Sequence, residues 1–223
     1  MNNRYNYYIK KKEYILEDIS TVAKNTYMLL SITILFSSLM AFLSIKMGIK
    51  HINIFVYIFI TFGLLILTDF FKNNWFGLIM VFMFTGFEGF CLGPITKPLL
   101  STKFGQELLS MSLLLTGIIF LTLSIYVYIT KKDFHFLNGF IFTGIITIIS
   151  LTILSFFIKT TLNQAIISAL IIIVSSSIIL YETSNILHNR EKNYISATIS
   201  LYLQIYNLFI SILTILNIFS SKD

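Results

Sequence analysis

The last quarter of the chain contains two long apolar segments, residues 164–187 and 195–219, separated by a short polar turn. The second segment has no charged residue along its whole length. A helix of about 20 apolar residues crosses the hydrocarbon core of a bilayer. Each segment is therefore long enough to span a membrane, and this length constrains the fold of the chain more than any other feature.

Polar residues recur along the second segment at spacings of four and three, which places them on one face of a helix. They are Ser200, Gln204, Asn207, Ser211 and Thr214. Inside a membrane such a face turns toward other helices. Small and hydroxylated side chains on it can also serve only as a packing surface.

The preceding segment carries one charged residue, Glu182, close to the face that holds Ser168, Ser175 and Asn185. A carboxylate within a membrane helix is costly and is expected to face protein or water. Glu182 is therefore the first candidate for a functional group.

Composition extends this reading to the whole chain. The 223 residues are 56% hydrophobic and 12% charged, and their mean hydropathy is +0.84, as in integral membrane proteins. Seven predicted spans use nearly all the length and leave no room for a soluble domain: 26–45, 52–71, 75–95, 108–129, 137–158, 164–187 and 195–219. The single cysteine, Cys91, excludes an intrachain disulfide and is expected to be a small packing residue.

The basic residues predict an orientation. With the N-terminus inside, ten Lys and Arg fall on the cytoplasmic side and six on the other, which favours a cytoplasmic N-terminus and an external C-terminus. Residues 1–25 are expected to be a solvated cytoplasmic tail, ending at most in a short interfacial helix, and residues 220–223 form the C-terminal end. Trp75, Tyr57, Tyr126 and Tyr128 are placed as interface aromatics. The charge of +6 is spread over tails and turns, so we predict no nucleic-acid partner.

Two further acidic residues lie in predicted spans. Asp69, near a span end, can reach the headgroup region beside Lys72. Glu88 is deeper and is offset from a strip of small residues, Gly86, Gly89 and Gly93, whose spacing predicts close approach of another helix. Pro94 then ends or kinks that helix. Glu88 either flanks the contact or handles an ion or a proton.

Three stretches resemble the Bax-inhibitor family: TGFEGFCLGPIT at 85–96, TKKDFHFL at 130–137, and the longest at 167–213. Within that family, the chain is most similar to the bacterial inner-membrane branch that modulates the membrane-bound AAA protease FtsH. The resemblance implies a seven-helix all-α bundle whose last helix is enclosed by the other six. It also implies an acidic pair on the last two helices that senses pH and governs a calcium leak.

This sequence departs from that pattern at one acid and in one turn. The acid of the sixth helix is Glu182, but Gln204 occupies the position of its partner. We expect these two side chains to form a buried polar pair, supported by Ser175, Asn185, Ser200, Asn207 and Ser211. The turn reads His-Asn-Arg-Glu at 188–191 where the family has His-Gly-Gly-Glu, so Arg190 is expected to pair with Glu182 or Glu191.

The chain shows no catalytic motif: no paired aspartates of protease type, no serine with a partner histidine and no zinc-binding H-E-x-x-H. We therefore expect a non-enzyme without cofactor or metal. The first hypothesis is a regulatory partner of FtsH whose segment 1–25 offers the protease a starting handle. The second is a pH-sensitive calcium or proton leak gated by Glu182, with Gln204, Asn207 and Ser211 lining the route. A small-solute transporter is a third class that no residue specifically supports.

Overall fold

A computed structural model describes residues 2–49, 51–158 and 160–220, with side chains from Ile19 onward. Seven α-helices and one short 3-10 helix, His135–Leu137, make up the described chain, in which no strand occurs. The all-helical fold predicted from the sequence is thereby confirmed. The helices are α1 Asn2–Met47, α2 Ile54–Phe71, α3 Phe76–Leu100, α4 Gly105–Thr130, α5 Asn138–Ser155, α6 Thr161–Leu187 and α7 Tyr194–Ser220.

Each of these seven helices contains a stretch long and apolar enough to cross a membrane. The outer surface agrees with a lipid environment, because large apolar side chains on α2 and α5 are exposed, including Phe55, Phe59 and Phe142. Such extensive exposed apolar surface is rare on soluble monomers. The protein is therefore a multi-pass membrane protein.

The N-terminal helix is longer than the sequence suggested. Residues 2–25, expected to be a tail, continue α1 without a break, and the apolar part of this helix begins at Ile19. At a rise of 1.5 Å per residue, α1 is roughly 70 Å long, about twice the hydrocarbon thickness of a bilayer. Its N-terminal part therefore projects beyond the membrane as a helix.

The predicted glycine strip brings α3 against α1. A Cβ atom added to Gly86 would lie 2.6 Å from Cε1 of Phe36, and one added to Gly89 would lie 2.2 Å from the Ser37 carbonyl oxygen. At Gly93 the added atom would lie 2.2 Å from Ser44 Oγ. Only glycine permits this separation, so the strip fixes the distance between the two helices.

The prolines of α3 do not end it. The alternative that the helix closes at Pro94, with its span ending at Ile95, is wrong, because the helix continues through Pro94 and Pro98 to Leu100. A proline removes one backbone hydrogen bond from a helix, and in membrane helices neighbouring elements compensate for that loss.

The last helix is only partly enclosed. In the described chain, α7 packs against α1, α3, α4 and α6, whereas α2 packs against α3 and α5 packs against α6. The expectation that all six other helices surround α7 is therefore not confirmed. The core lies where α7 meets its four neighbours, and its fully buried side chains include Phe84, Ile179, Leu201 and Leu208.

Candidate functional site

The most deeply buried carboxylate of the described chain is Glu88, at the middle of α3, with no exposed surface. Two hydroxyl groups of α2 donate to it. Tyr57 donates to Oε2 at 3.0 Å, and Thr61 donates to Oε1 at 2.7 Å. Glu88 thus faces α2, on the side of α3 away from the glycine strip, and the structure supports the reading that it flanks the α1–α3 contact.

Tyr57 is the residue that sequence reasoning placed wrongly. We assigned it to the membrane interface, but its hydroxyl group reaches the middle of the bundle and its ring stacks on Phe87 at a centroid distance of 6.1 Å. The depth of Tyr57 within the predicted span was the one sequence feature that could have indicated this position. Thr61 gave no signal, because a threonine inside an apolar run is common in membrane helices.

A second polar network joins α7 to α1 and α3 close to Glu88. The Tyr202 hydroxyl donates to the Thr85 carbonyl at 3.1 Å and lies 2.6 Å from Ser37 Oγ. Both hydroxyl groups are buried. This network ties the last helix to the α1–α3 pair.

A cavity of about 550 Å³ lies between α2, α3, α6 and α7. It extends to His51 in the α1–α2 turn, and its wall includes Tyr57 and Cys91. The part of its wall contributed by α7 consists of Tyr206, Asn207, Ile210 and Ser211. Two members of the predicted stripe, Asn207 and Ser211, therefore line a cavity.

Glu182, the first candidate, is half-buried between α6 and α7. Ser200 donates a hydrogen bond to its Oε1 at 3.0 Å. The Gln204 side chain is buried, but its Nε2 donates to the Ser200 carbonyl at 3.1 Å and not to the carboxylate. The direct pair predicted for Glu182 and Gln204 is thus replaced by an arrangement in which Ser200 touches both.

The remaining stripe residues of α6 are buried, and one of them, Asn185, also contacts Glu182. Ser175 and Asn185 are buried on α6, as are Ser168 and Thr183. The Asn185 backbone carbonyl accepts from the amides of Arg190 and Glu191 at 2.9 and 3.2 Å. These contacts shape the end of α6 and bring the charge of Glu191 within electrostatic reach of Glu182, to which the Asn185 side chain also hydrogen-bonds.

Arg190 pairs with a residue that the sequence analysis did not consider. Its guanidinium binds both carboxylate oxygens of Asp133, in the turn between α4 and α5, and the Nη1–Oδ1 distance is 2.9 Å. The expected pairing with Glu182 or Glu191 is therefore wrong. Arg190, together with the His135 amide, lowers the pKa of Asp133 to about 2, and Asp133 in turn raises the pKa of Arg190.

The turn between α6 and α7 also bonds to the turn between α2 and α3. Asn193 Nδ2 donates to the Lys72 carbonyl at 3.1 Å and to Asn73 Oδ1 at 3.0 Å. Its Oδ1 caps α7 by accepting from the amides of Ile195 and Ser196. The backbone amide of Asn193 donates to the side chain of Glu191 at 2.7 Å. Residues 188–193 thus link the three turns at this end of the bundle.

Asp69 lies at the surface as predicted, and Lys72 Nζ is 2.7 Å from its Oδ1. Within the described residues, no three His, Cys, Asp or Glu side chains come close enough to hold a metal ion. The fully buried Glu88 and the half-buried Glu182 each accept hydrogen bonds from hydroxyl groups.

Fold and site together define a multi-pass helical membrane protein whose buried polar groups join its helices. The chain belongs to the Bax inhibitor family, whose model, described as "Inhibitor of apoptosis-promoting Bax1", matches residues 19–221. It is 40% identical over 202 residues to the "Modulator of FtsH protease YccA" of Escherichia coli K12, covering 91% of each chain. The same Escherichia coli protein, from strain CFT073, is described as "Inner membrane protein YccA".

Two further relatives cover the chain to a similar extent. An uncharacterized protein of Pseudomonas aeruginosa is 42% identical over 206 residues, which are 92% of this chain and 93% of the relative. An uncharacterized membrane protein of Vibrio cholerae is 39% identical over 211 residues, with the same coverage. These matches extend over the membrane helices, so the likeness concerns the bundle as a whole.

Proposed function

We propose that this protein is an inner-membrane regulator that binds and modulates the membrane-bound AAA protease FtsH without catalysing a reaction itself. The observation that carries the proposal is the 40% identity to the Escherichia coli modulator over 91% of both chains. Similarity over that length includes every helix of the bundle, not a local motif.

We propose that FtsH engages this protein at the projecting part of α1. The positive charge of the N-terminal segment favours its placement on the cytoplasmic side. Ile19 begins the part of α1 that is long and apolar enough to enter the membrane. Most helical stability in proteins comes from packing of an apolar face, and a polar helix of about this length is only marginally stable in water, so we expect the 17 residues before Ile19 to unfold at low cost. Such a segment suits an AAA protease, which starts pulling from an unfolded end.

The first experiment compares the half-life of the full chain with that of a chain lacking residues 2–18, in cells that contain FtsH. We expect the deletion to lengthen the half-life severalfold. Replacement of residues 2–18 by a flexible glycine–serine segment of equal length is the matched control, and it should restore turnover. An unchanged half-life after deletion contradicts the handle.

Binding is tested separately, because a partner need not be a substrate. The full chain, purified from membranes in mild detergent, should carry FtsH with it and should alter the rate at which FtsH degrades a second membrane substrate. Absence of both effects contradicts the proposed function.

No specific contact or cavity supports the hypothesis of an ion leak gated by Glu182. The cavity holds Asn207 and Ser211, but neither Glu182 nor Gln204 is part of its wall. The residues expected to form one route are thus divided between a cavity and a closed helix contact.

A further inference from the structure

Glu88 is a buried carboxyl group whose neighbours suit both of its protonation states. Each carboxylate oxygen accepts one hydrogen bond, from Tyr57 or from Thr61. A hydroxyl group both donates and accepts. When Glu88 is ionised, the two hydroxyls donate to it. When it is protonated, its own O–H can donate to the Tyr57 oxygen, and the Tyr57 hydroxyl can turn toward Tyr206, with which it also hydrogen-bonds.

Among the side chains that the structure describes, no cation bonds to Glu88. The titratable groups that interact with it are Tyr57 from α2, Tyr202 and Tyr206 from α7, and Cys91 on its own helix. Among the described residues, no Lys, Arg or His of α1, α2, α4 or α7 bonds to the carboxylate. A buried carboxylate without a counter-ion is costly in a membrane. This cost favours the protonated, neutral form of Glu88.

Tyr57 connects this carboxyl group to the cavity. Its hydroxyl group bonds to Glu88, and its side chain also forms part of the wall of the cavity that extends to His51. Tyr206 and Cys91 belong to the same wall. One side chain thus lies between the carboxyl group and a space open toward the end of the bundle that carries the α1–α2 turn.

We propose that Glu88 is a proton-binding site that exchanges its proton with the cavity through the hydroxyl group of Tyr57. The Tyr57 proton passes to Glu88 Oε2 as the Tyr57 oxygen takes a proton from solvent in the cavity, so the phenol stays neutral and one proton is gained. Release follows the same path in reverse. This site is distinct from Glu182, which lies outside the cavity wall, and it is independent of FtsH binding.

The test uses infrared spectroscopy of the full chain in lipid bilayers. Buffer is varied from pH about 4 to about 10, the range between the ordinary pKa values of glutamate and tyrosine. We expect a pH-dependent band of a protonated carboxyl group that is absent from Glu88→Gln and present in Glu182→Gln, the matched control. After a pH jump, Tyr57→Phe should slow the change of this band about 100-fold, within the range that positioned proton-transfer groups contribute.

The route is tested with Cys91, the only cysteine of the chain. In sealed vesicles of known orientation, a small membrane-impermeant thiol reagent should modify Cys91 only from the side of the α1–α2 turn. If Glu88→Gln does not fold, Glu88→Asp should shift the carboxyl band in its place. Retention of the band in Glu88→Gln, no pH-dependent carboxyl band at all, an unchanged rate in Tyr57→Phe, or modification of Cys91 from the opposite side alone overturns the proposal.

Discussion

The substitution Gly89→Ala tests the α1–α3 contact most sharply. The new methyl group would lie 2.2 Å from the carbonyl oxygen, 2.5 Å from Oγ and 2.7 Å from the carbonyl carbon of Ser37. Two of these atoms belong to the backbone, so no rotamer change relieves the clash and α1 must move away from α3. That movement also disturbs the bond between Ser37 and Tyr202, at 2.6 Å.

Overpacking of this kind costs about 1–3 kcal/mol, and we place Gly89→Ala near the upper limit because the obstacle is backbone. Gly63→Ala and Gly117→Ala are matched controls, since no atom lies within 4 Å of an added Cβ at either position. Alanine there should be neutral or stabilise the helix by up to about 1 kcal/mol. Unfolding in mixed micelles of increasing denaturing detergent, followed by circular dichroism, compares the variants. Equal stability of Gly89→Ala and the controls would refute the close contact.

Three further substitutions test the polar contacts between helices and turns. Ser200→Ala removes the donor to Glu182 and should lower the free energy of unfolding by about 1–3 kcal/mol, measured in the same detergent titration. Asn193→Ala removes the cap of α7 and the tie to the α2–α3 turn, and should cost about 1–2 kcal/mol in that assay. Asp133 has a pKa lowered to about 2 by Arg190, below the ordinary value of about 3.9. Its bridge therefore stabilises the fold fully above about pH 4, and the stability difference between the wild type and Asp133→Asn should vanish as the pH falls through about 2.

Controls for these variants come from groups that bond only within their own helix or lie at the surface. Thr214→Val on α7 removes a hydroxyl that donates to Ile210 of the same helix at 2.8 Å, and it should cost less than Ser200→Ala. Asp69→Asn removes the exposed ion pair with Lys72 and should change stability little. A loss at Asp69 as large as that at Asn193 would contradict the conclusion that Asn193 links turns that the exposed Asp69–Lys72 pair does not.

The sequence predicted the number of helices and the contact along the glycine strip because both depend on local pattern. Apolar length decides whether a helix spans a membrane, and small residues at spacings of three and four decide where a neighbour approaches. The strip at Gly86, Gly89 and Gly93 therefore appeared in the structure as expected.

Partners across helices were less accessible to prediction, because they depend on the relative depth and rotation of elements that are distant in sequence. Arg190 bonds to Asp133, 57 residues away, instead of the nearby Glu182 or Glu191. Tyr57 was expected at the membrane interface, but its hydroxyl group bonds to Glu88 on another helix. The continuation of α1 to Asn2 was missed because the polar segment lacks the apolar periodicity on which we placed helices.

The central functional claim is direct contact between the projecting part of α1 and FtsH. A photoreactive amino acid at position 8, within that part, can be compared with one at position 157, beyond the end of α5 at the opposite end of the bundle. On irradiation of living cells, we predict an adduct that contains FtsH from position 8 and none from position 157. Failure to capture FtsH from position 8, with expression and membrane insertion unchanged, would contradict the account.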